Sequence, residues 1–230
     1  MRLFLVKEFL DLIFPRNCTL CGRPLFDSEE CLCSICIGLL PITSYHLRAT
    51  NNDLVDKIKG LTEAGKVMSF LRFTKKGKSQ KLLHHLKYGN NPQLARLLGK
   101  LYGTILNGQE YARNWDSIVP VPLHPMKQRR RGYNQSEEFG LGLSQSLNIP
   151  LNLMLERTLF TSTQTNKTRL ERLENVENVF KHTADSTVYD KSVLLIDDVM
   201  TTGATLCACG NVLLRNGAKN VDLATIAAGG

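Results

Sequence analysis

VLLIDDVMTTGATL, residues 193–206, is the stretch that decides the fold of this chain. The apolar run SVLLID (192–197) predicts a buried strand, and DVMTTGAT predicts a turn. A helix is predicted for residues 204–215, and NVDLATIAA (220–228) predicts a second strand. A strand, a crossover helix and another strand at this spacing predict a parallel α/β sheet flanked by helices. Ligands bind such sheets beyond the carboxyl ends of the strands, so we expect a site at this turn.

The turn combines two kinds of polar group. Hydroxyl side chains and a glycine precede a helix N-terminus, whose unpaired N–H groups and positive dipole end attract phosphate. The candidate 5′-phosphate residues are Thr201, Thr202, Gly203, Ala204 and Thr205. The carboxylates of Asp197 and Asp198 would repel that phosphate, so we expect them to face ribose hydroxyls or a hydrated divalent cation. The turn therefore predicts a clamp for a ribose 5′-phosphate; the alternative is a strand–helix corner whose polar residues serve only as caps.

A further strand is predicted earlier in the chain, DSIVPV (116–121). It leads into the basic segment HPMKQRRRGYN (124–134), which we predict to be a loop. Its positive charge and forked guanidinium donors suit a diphosphate. The candidate diphosphate residues are Lys127, Arg129, Arg130, Arg131 and Gly132. The alternative is a solvated basic face. A helix is predicted to follow over residues 135–147.

Five of the seven cysteines fall between residues 18 and 36, and they include two CxxC pairs. Four thiolates at this spacing suit a tetrahedral zinc ion with no open coordination position, so we predict a structural Zn²⁺ site. The candidate ligands are Cys18, Cys21, Cys33 and Cys36, and Cys31 is an alternative to one of them. Neither pair is predicted to open a helix after a strand, which disfavours a redox role. Cys207 and Cys209 are predicted to be buried thiols.

The composition is that of an ordinary globular protein: 43% of the 230 residues are hydrophobic and 22% are charged, which excludes a disordered or collagen-like chain. A net charge of +8 suits a phosphorylated metabolite, a nucleic acid or an acidic membrane surface. The cysteine pattern indicates a reducing cytosol, and no apolar run is long enough for a transmembrane segment, so we expect a cytoplasmic protein. Residues 2–14 resemble a signal peptide only superficially, because charged residues interrupt them and no cleavage site follows. We predict that they form a helix with one apolar face.

The region before the basic segment adds a strand and two helices. KVMSFLRFT (66–74) predicts the strand, Ser79 is predicted to cap a short helix, and Asn91 a longer one. Residues 72–87 hold six basic residues and no acid, so a solvated surface and contact with a nucleic-acid backbone both fit them. Trp115 is predicted to lie in the core.

Several of these motifs occur together in a known family. The apolar run, the paired acids and TTGAT resemble the 5-phosphoribosyl 1-diphosphate (PRPP) motif of type I phosphoribosyltransferases. The CxxC pairs, LKYGNNPQLARLLG (86–99) and VPVPLHPMKQRRRGYNQSEEF (119–139) resemble the ComF/GntX family of competence-related, phosphoribosyltransferase-like proteins. The segment RTLFTSTQTNKTRLERLENVENVF (157–180) is similar to that family at Arg157, Gln164, Arg169, Arg172, Asn175 and Phe180.

The resemblance implies a type I phosphoribosyltransferase-like sheet preceded by a small zinc ribbon with four cysteine ligands. With the composition shifts along the chain, it divides the sequence into an N-terminal helix (1–14), a zinc-ribbon-like module (15–45) and a phosphoribosyltransferase-like domain (46–230).

The resemblance also implies PRPP with Mg²⁺ as ligand. Asp197 and Asp198 would then lie at the ribose and the cation, and Lys87 would contact a phosphate. Arg169 and Arg172 would lie on a mobile loop that closes over the site.

Two functions follow from the resemblance, and the sequence leaves both open. One is transfer of the phosphoribosyl group from PRPP to a nitrogen acceptor. The other is a non-catalytic nucleotide- or DNA-binding adaptor of the competence machinery. The family implies a role in moving single-stranded DNA inward during transformation, beside a helicase-like partner at the inner face of the membrane.

Overall fold

The computed structural model describes residues 16–158, 179–184 and 186–229. Its helices are α1 (Ser34–Gly38), α2 (Asp53–Ile58), α3 (Lys78–Tyr88), α4 (Pro92–Asn107), α5 (Pro125–Arg131), α6 (Gln135–Leu147) and α7 (Ala204–Arg215), with 3₁₀ turns at Tyr45–Leu47 and Glu110–Asn114. Its strands are β1 (Val67–Arg72), β2 (Ser117–Pro120), β3 (Leu155–Arg157), β4 (Phe180–His182), β5 (Ser192–Met200) and β6 (Asn220–Ala228). The helix predicted for residues 2–14 lies outside the described residues.

Among the described residues, the central sheet has four parallel strands in the order β1-β6-β5-β2. Strands β3 and β4 form a separate antiparallel pair. Helices flank the sheet, so the predicted parallel α/β fold is confirmed. Strand β6 has the predicted bounds, whereas β5 runs on to Met200, because its pairing with β6 continues to the register pair Met200 and Ala228. Asp198 therefore lies within the strand, as Asp197 was predicted to do, and not in the turn after it.

Local capping signals located two helices correctly. The side chain of Asn91 accepts a hydrogen bond from the backbone N–H of Leu94 at 3.0 Å and starts α4. Helix α6 has the predicted bounds and ends at Asn148, which adopts the left-handed conformation. The predicted cap of α3 is wrong: Gly77 holds that position, and the buried Ser79 hydroxyl instead accepts from the backbone N–H of Thr74.

The basic segment is a helix and not the predicted loop. His124 caps it by accepting a hydrogen bond from the backbone N–H of Met126 at 3.1 Å. Pro125 occupies the first turn, where its fixed φ suits a helix and its missing N–H costs nothing. Gly132, at φ 81°, ends the helix. The cations of α5 are therefore displayed at helical spacing.

Helices α4 and α6 pack so closely that their backbones touch. A Cβ atom added at Gly142 would lie 2.0 Å from the carbonyl oxygen of Arg96, so only glycine fits there. Arg96 also forms an ion pair with Glu138 at 2.7 Å, and Phe139 stacks on Tyr102 in the core. This packing fixes the first turn of α6 against the end of β5.

Trp115 is buried as predicted, and its partner is polar. The indole Nε1–H donates a hydrogen bond of 2.8 Å to Asp222, whose side chain is 1% exposed. The amide of Asn220 and the backbone N–H of Lys66 donate to the other carboxylate oxygen. Because its hydrogen bonds are made within the protein, this buried carboxylate is structural. Within the described ranges, no helix is both long enough and apolar enough to cross a membrane.

Candidate functional site

Four elements meet at the carboxyl edge of the sheet. Strand β5 carries Asp197 and Asp198 near its end, next to the end of β2. The start of α6 and the end of α3 supply one contact each, through Ser136 and Lys87. This is the edge at which ligands bind in parallel α/β sheets.

Asp197 is held by two hydrogen bonds to the same carboxylate oxygen. The hydroxyl of Ser136 donates to Oδ1 at 2.9 Å, and the backbone N–H of Asp198 donates to it at 2.8 Å. Burial, with the neighbouring charge of Asp198 as the second cause, raises the pKa of Asp197 to about 7. The other oxygen, Oδ2, accepts no hydrogen bond from the described residues and is the one left for a ligand.

Asp198 forms an ion pair with Lys87, whose Nζ lies 3.0 Å from Oδ2. The side chains are 18% and 28% exposed, respectively, so solvent reaches both only in part. Lys87 is the predicted phosphate residue on α3, and the structure brings it to the acid pair.

The loop after the acids wraps around a small recess of about 40 Å³. Gly203 is the N-cap of α7 with φ 79°, a conformation that favours glycine, and it has no side chain with which to cap the helix. The backbone N–H of Ala204 makes only a long contact, 3.5 Å, with the hydroxyl of Thr202. The lining of the recess comprises Asp197 and residues 199–206, which include all five predicted 5′-phosphate residues. Uncapped N–H groups of α7 therefore point at a space that an anion fits.

A larger cleft of about 680 Å³ lies beside α5. Its lining residues are Lys87, Tyr88, Asn90, Lys127, Arg129, Arg130, Arg131 and Gly132. All five predicted diphosphate residues line it, together with Lys87, and none of its described lining residues is a carboxylate. A cleft of this size lined by cations suits an extended phosphate group.

The segment between α5 and α6 ties the basic cleft to α3, and sequence reasoning did not find these contacts. Tyr133 and Gln135 both donate hydrogen bonds to the backbone carbonyl of Leu86, at 2.6 and 3.0 Å. The amide of Asn134 donates to the carbonyl of Val121, and its side-chain oxygen accepts from the backbone N–H of Ser136. The available signal was GYNQS itself, a helix-capping asparagine among polar residues that prove to be buried.

The charge around Lys127 is strongly unbalanced. Burial lowers the pKa of Lys127, and the charges of Arg157, Arg131 and Lys87 lower it further, while the charge of Asp198 opposes them. Like charges gathered in a partly shielded site favour the binding of an anion.

The four predicted zinc ligands form a cluster in which all Sγ atoms lie within 4.8 Å of one another. Sulfurs around a tetrahedral zinc with bonds of about 2.3 Å are about 3.8 Å apart. The Sγ atoms of Cys21 and Cys33 are separated by 3.8 Å. Three of the four side chains are buried, and the four Sγ atoms are close enough to one another to surround one ion. The donor set therefore fits a structural Zn²⁺ ion.

The thiols of this cluster differ in pKa. Burial opposes ionisation of Cys33, but hydrogen bonds from the Cys36 backbone N–H and from Arg23 outweigh it and lower the pKa of Cys33 to about 6. Burial and the neighbouring thiols raise the pKa of Cys36 to about 12. Four adjacent thiolates therefore need a cation to coexist. Cys33 also caps the short helix α1. No strand precedes α1 among the described residues, so the structure does not contradict the prediction that neither CxxC pair opens a helix after a strand.

The remaining residues singled out from the sequence belong neither to the sheet-edge site nor to the cysteine cluster, or lie outside the described residues. Cys31 is not part of the sulfur cluster; its Sγ lies 3.9 Å from Oδ1 of Asn91, and burial raises its pKa. Cys207 and Cys209 are fully buried in α7, as predicted. Arg169 and Arg172 lie outside the described residues, as do Gln164 and Asn175.

Comparison with known families identifies the region that holds the acid pair and the basic cleft. The phosphoribosyl transferase domain family matches residues 85–230, which is more than half of the chain. The matched region includes the acid pair, the loop after it, α5 and Lys87. The cysteine cluster precedes it.

Individual relatives extend the similarity. Competence protein F from Haemophilus influenzae is 30% identical over 147 residues, which cover 62% of this chain and 64% of that protein, a little under two thirds of its length. DNA utilization protein YhgH from Salmonella typhimurium is 27% identical over 226 residues, covering 92% and 96%. Among solved structures, adenine phosphoribosyltransferase from Leishmania tarentolae is 16% identical with a TM-score of 0.40, covering 66% of this chain and 74% of that one. The two sequence relatives and the matched domain confirm the resemblance to ComF-type, phosphoribosyltransferase-like proteins.

Proposed function

Because the chain belongs to the phosphoribosyl transferase domain family, we propose that it binds PRPP with Mg²⁺ at the carboxyl edge of its sheet. The ribose of the ligand lies against Asp197 and Asp198, and its 5′-phosphate against residues 201–205. The diphosphate lies along α5, and Lys87 contacts a phosphate oxygen. We further propose that the protein acts in DNA uptake, in keeping with what the names of its relatives say of those proteins.

One observation carries this proposal. A recess at an uncapped helix N-terminus, an acid pair and a cation-lined cleft adjoin one another at a single sheet edge. These are the complements of the three parts of PRPP: a monophosphate, a ribose with free hydroxyls and a diphosphate. A ligand with one phosphate alone would leave most of the cleft unused.

The same residues suit the chemistry of phosphoribosyl transfer. Cleavage of the bond between C1 of the ribose and the diphosphate generates positive charge on the sugar, as in glycoside hydrolysis. Asp197 Oδ2 accepts hydrogen bonds from ribose hydroxyls and orients the ring, and above the pKa of Asp197, about 7, its negative charge stabilises the developing cation. The cations of α5 stabilise the negative charge of the leaving diphosphate.

The acid pair also fits a magnesium ion, because carboxylate oxygens are ligands that Mg²⁺ prefers. Asp197 and Asp198 would hold it, and the ion would neutralise part of the charge on the diphosphate when bound. Since Lys87 is paired with one oxygen of Asp198, this lysine exchanges its partner for a phosphate oxygen as the ligand enters.

Catalysis is tested by product formation. The zinc-loaded protein is incubated with PRPP, Mg²⁺ and a panel of nitrogen bases, and diphosphate release is measured. We expect release that depends on an acceptor and is absent from the Asp197→Asn/Asp198→Asn variant. Binding of PRPP without release for any base would reduce the proposal to ligand binding.

A non-catalytic adaptor is the second candidate, and the outer face of α3 favours it. His84 and Tyr88 are exposed with their ring centroids 4.9 Å apart, and Lys81 is exposed on the same helix. Exposed rings beside lysines suit the bases and backbone of single-stranded DNA. Fluorescence anisotropy with a labelled oligonucleotide tests this. If DNA binds and is weakened by Tyr88→Ala and Lys81→Gln while PRPP binding is absent, the adaptor replaces the transferase.

A further inference from the structure

Gln135, the first residue of α6, is buried, and both ends of its side-chain amide are hydrogen-bonded. Its Oε1 accepts a hydrogen bond of 3.0 Å from Nη1 of Arg131, and its Nε2 donates one of 3.0 Å to the backbone carbonyl of Leu86. A guanidinium can only donate and a carbonyl can only accept, so a single orientation of the amide satisfies both partners. The amide therefore links the end of α5 to the last turn of α3.

The carbonyl of Leu86 fixes this amide from the side of α3. Leu86 lies in the last turn of α3, where carbonyl groups lack a partner within the helix. The hydroxyl of Tyr133 donates to the same oxygen at 2.6 Å and holds it in place. The backbone of Gln135 is also fixed, because Asn134 caps α6 immediately before it. The amide oxygen of Gln135 is therefore held in one position, facing Arg131.

Arg131 differs from the other cations of α5. It is half-buried, whereas the other three are exposed: Lys127, Arg129 and Arg130. No side-chain hydrogen bond to a described residue holds those three, so the bond to Gln135 sets Arg131 apart. All four cations line the basic cleft. Since a guanidinium has five N–H donors, Arg131 keeps donors for a phosphate while it is bonded to Gln135.

We propose that Gln135 is a positioning residue of the ligand site, which holds the guanidinium of Arg131 in the basic cleft for the diphosphate. This inference rests on the proposed function. It adds a residue that acts without touching the ligand, since Gln135 is 2% exposed and is not among the residues that line the cleft.

The physical argument is one of side-chain entropy and direction. A long, exposed side chain loses rotamer freedom when it binds a ligand, and this loss weakens binding. The hydrogen bond to Gln135 restricts Arg131 before the ligand arrives, so less freedom is lost on binding. A guanidinium binds phosphate through parallel N–H donors, which makes its orientation matter more than that of an ammonium. Gln135 therefore contributes to affinity through Arg131.

Calorimetric titration of PRPP with Mg²⁺ into the zinc-loaded full chain tests the proposal. Methionine is about as long as glutamine and has no amide, so Gln135→Met removes both hydrogen bonds with little change of shape. We expect binding to weaken about fivefold in Gln135→Met and about tenfold in Arg131→Met. Because Gln135 acts through Arg131, the double variant should bind about as weakly as Arg131→Met alone. Gln145→Met, at an exposed glutamine of the same helix, is the matched control and should bind as the wild type does.

Two results would overturn the inference while leaving the proposed function intact. One is wild-type affinity in Gln135→Met; the other is single losses that multiply in the double variant, which would make Gln135 merely structural. No binding of PRPP by the wild type would instead reject the proposed function itself.

A second pair of variants keeps the test valid if Gln135→Met unfolds. Arg131→Lys and Arg130→Lys both keep the charge of α5. A lysine ammonium lacks the forked donors with which a guanidinium bonds to Gln135 and to a phosphate together. Arg131→Lys should therefore weaken PRPP binding more than Arg130→Lys does, and equal effects would contradict the proposal.

Discussion

Lys87 Nζ lies 3.0 Å from Asp198 Oδ2, and this ion pair joins the end of α3 to the end of β5. The two residues are 111 positions apart in the sequence, so only the fold brings them together. The pair keeps a cation at the boundary between the acid pair and the basic cleft. Lys87 is thus positioned to follow an incoming phosphate.

Replacing Lys87 by glutamine should weaken PRPP binding about tenfold, because one charge-assisted contact to a phosphate oxygen is lost. Titration calorimetry measures the effect. Lys81→Gln is the matched control, since Lys81 lies on the same helix but is exposed and outside the cleft lining. Equal losses in both variants would point to the overall charge of α3 instead of this contact.

The raised pKa of Asp197 makes stability depend on pH. Its folded-state pKa is about 7 against an ordinary value of 3.8, so the folded protein binds a proton that the unfolded chain releases. This contribution to stability is complete below about pH 4 and is lost as pH rises through about 7. Asp197→Asn should therefore raise the melting temperature at pH 8 and leave it nearly unchanged at pH 4. A difference that is the same at both pH values would contradict the shift.

Gly203→Ala should destabilise the phosphate loop. The new side chain would have to adopt φ 79°, and its Cβ would lie 2.8 Å from Cγ2 of Ile58. We expect the free energy of unfolding to fall by about 2 kcal/mol, measured by urea denaturation. Gly108→Ala is the control, because its nearest contact is an ordinary 3.5 Å from the carbonyl oxygen of Ile105 and its φ is negative. Similar losses in the two variants would refute a special role for the loop glycine.

The cysteine cluster predicts one zinc ion per chain. Cys33→Ser should lose the metal in elemental analysis and lower the melting temperature by about 10 °C, which corresponds to about 3 kcal/mol for a domain of this size. Cys31→Ser should keep the metal, since Cys31 lies outside the cluster. If Cys33→Ser keeps its zinc and Cys31→Ser loses it, Cys31 and not Cys33 is the zinc ligand.

Features that depend on local sequence were predictable. Helix α6 and strand β6 have their predicted bounds because capping residues and apolar runs act within a few positions. The helical state of α5 was missed, since a row of cations is typical of a loop. The deciding groups are His124, which caps the helix, and Pro125 in its first turn.

Contacts between distant positions were not predictable. Both acids were identified from their strand, but the hydrogen bond from Ser136 to Asp197 spans 61 positions and depends on how α6 packs on α4. The stacking of Arg157 on Phe180 depends likewise on the pairing of β3 with β4. Periodicity reports which side of an element is buried, and it does not report which side chains meet across elements.

The most direct test of the account is a calorimetric titration of PRPP with Mg²⁺ into the zinc-loaded wild type and into the Asp197→Asn/Asp198→Asn variant. The substitutions keep the shape of the side chains and remove the charge that the ribose and the cation require. We expect wild-type affinity on the order of micromolar and a loss of at least about 100-fold in the variant. No binding by the folded wild type, or equal binding by both proteins, would contradict the ribose-phosphate clamp.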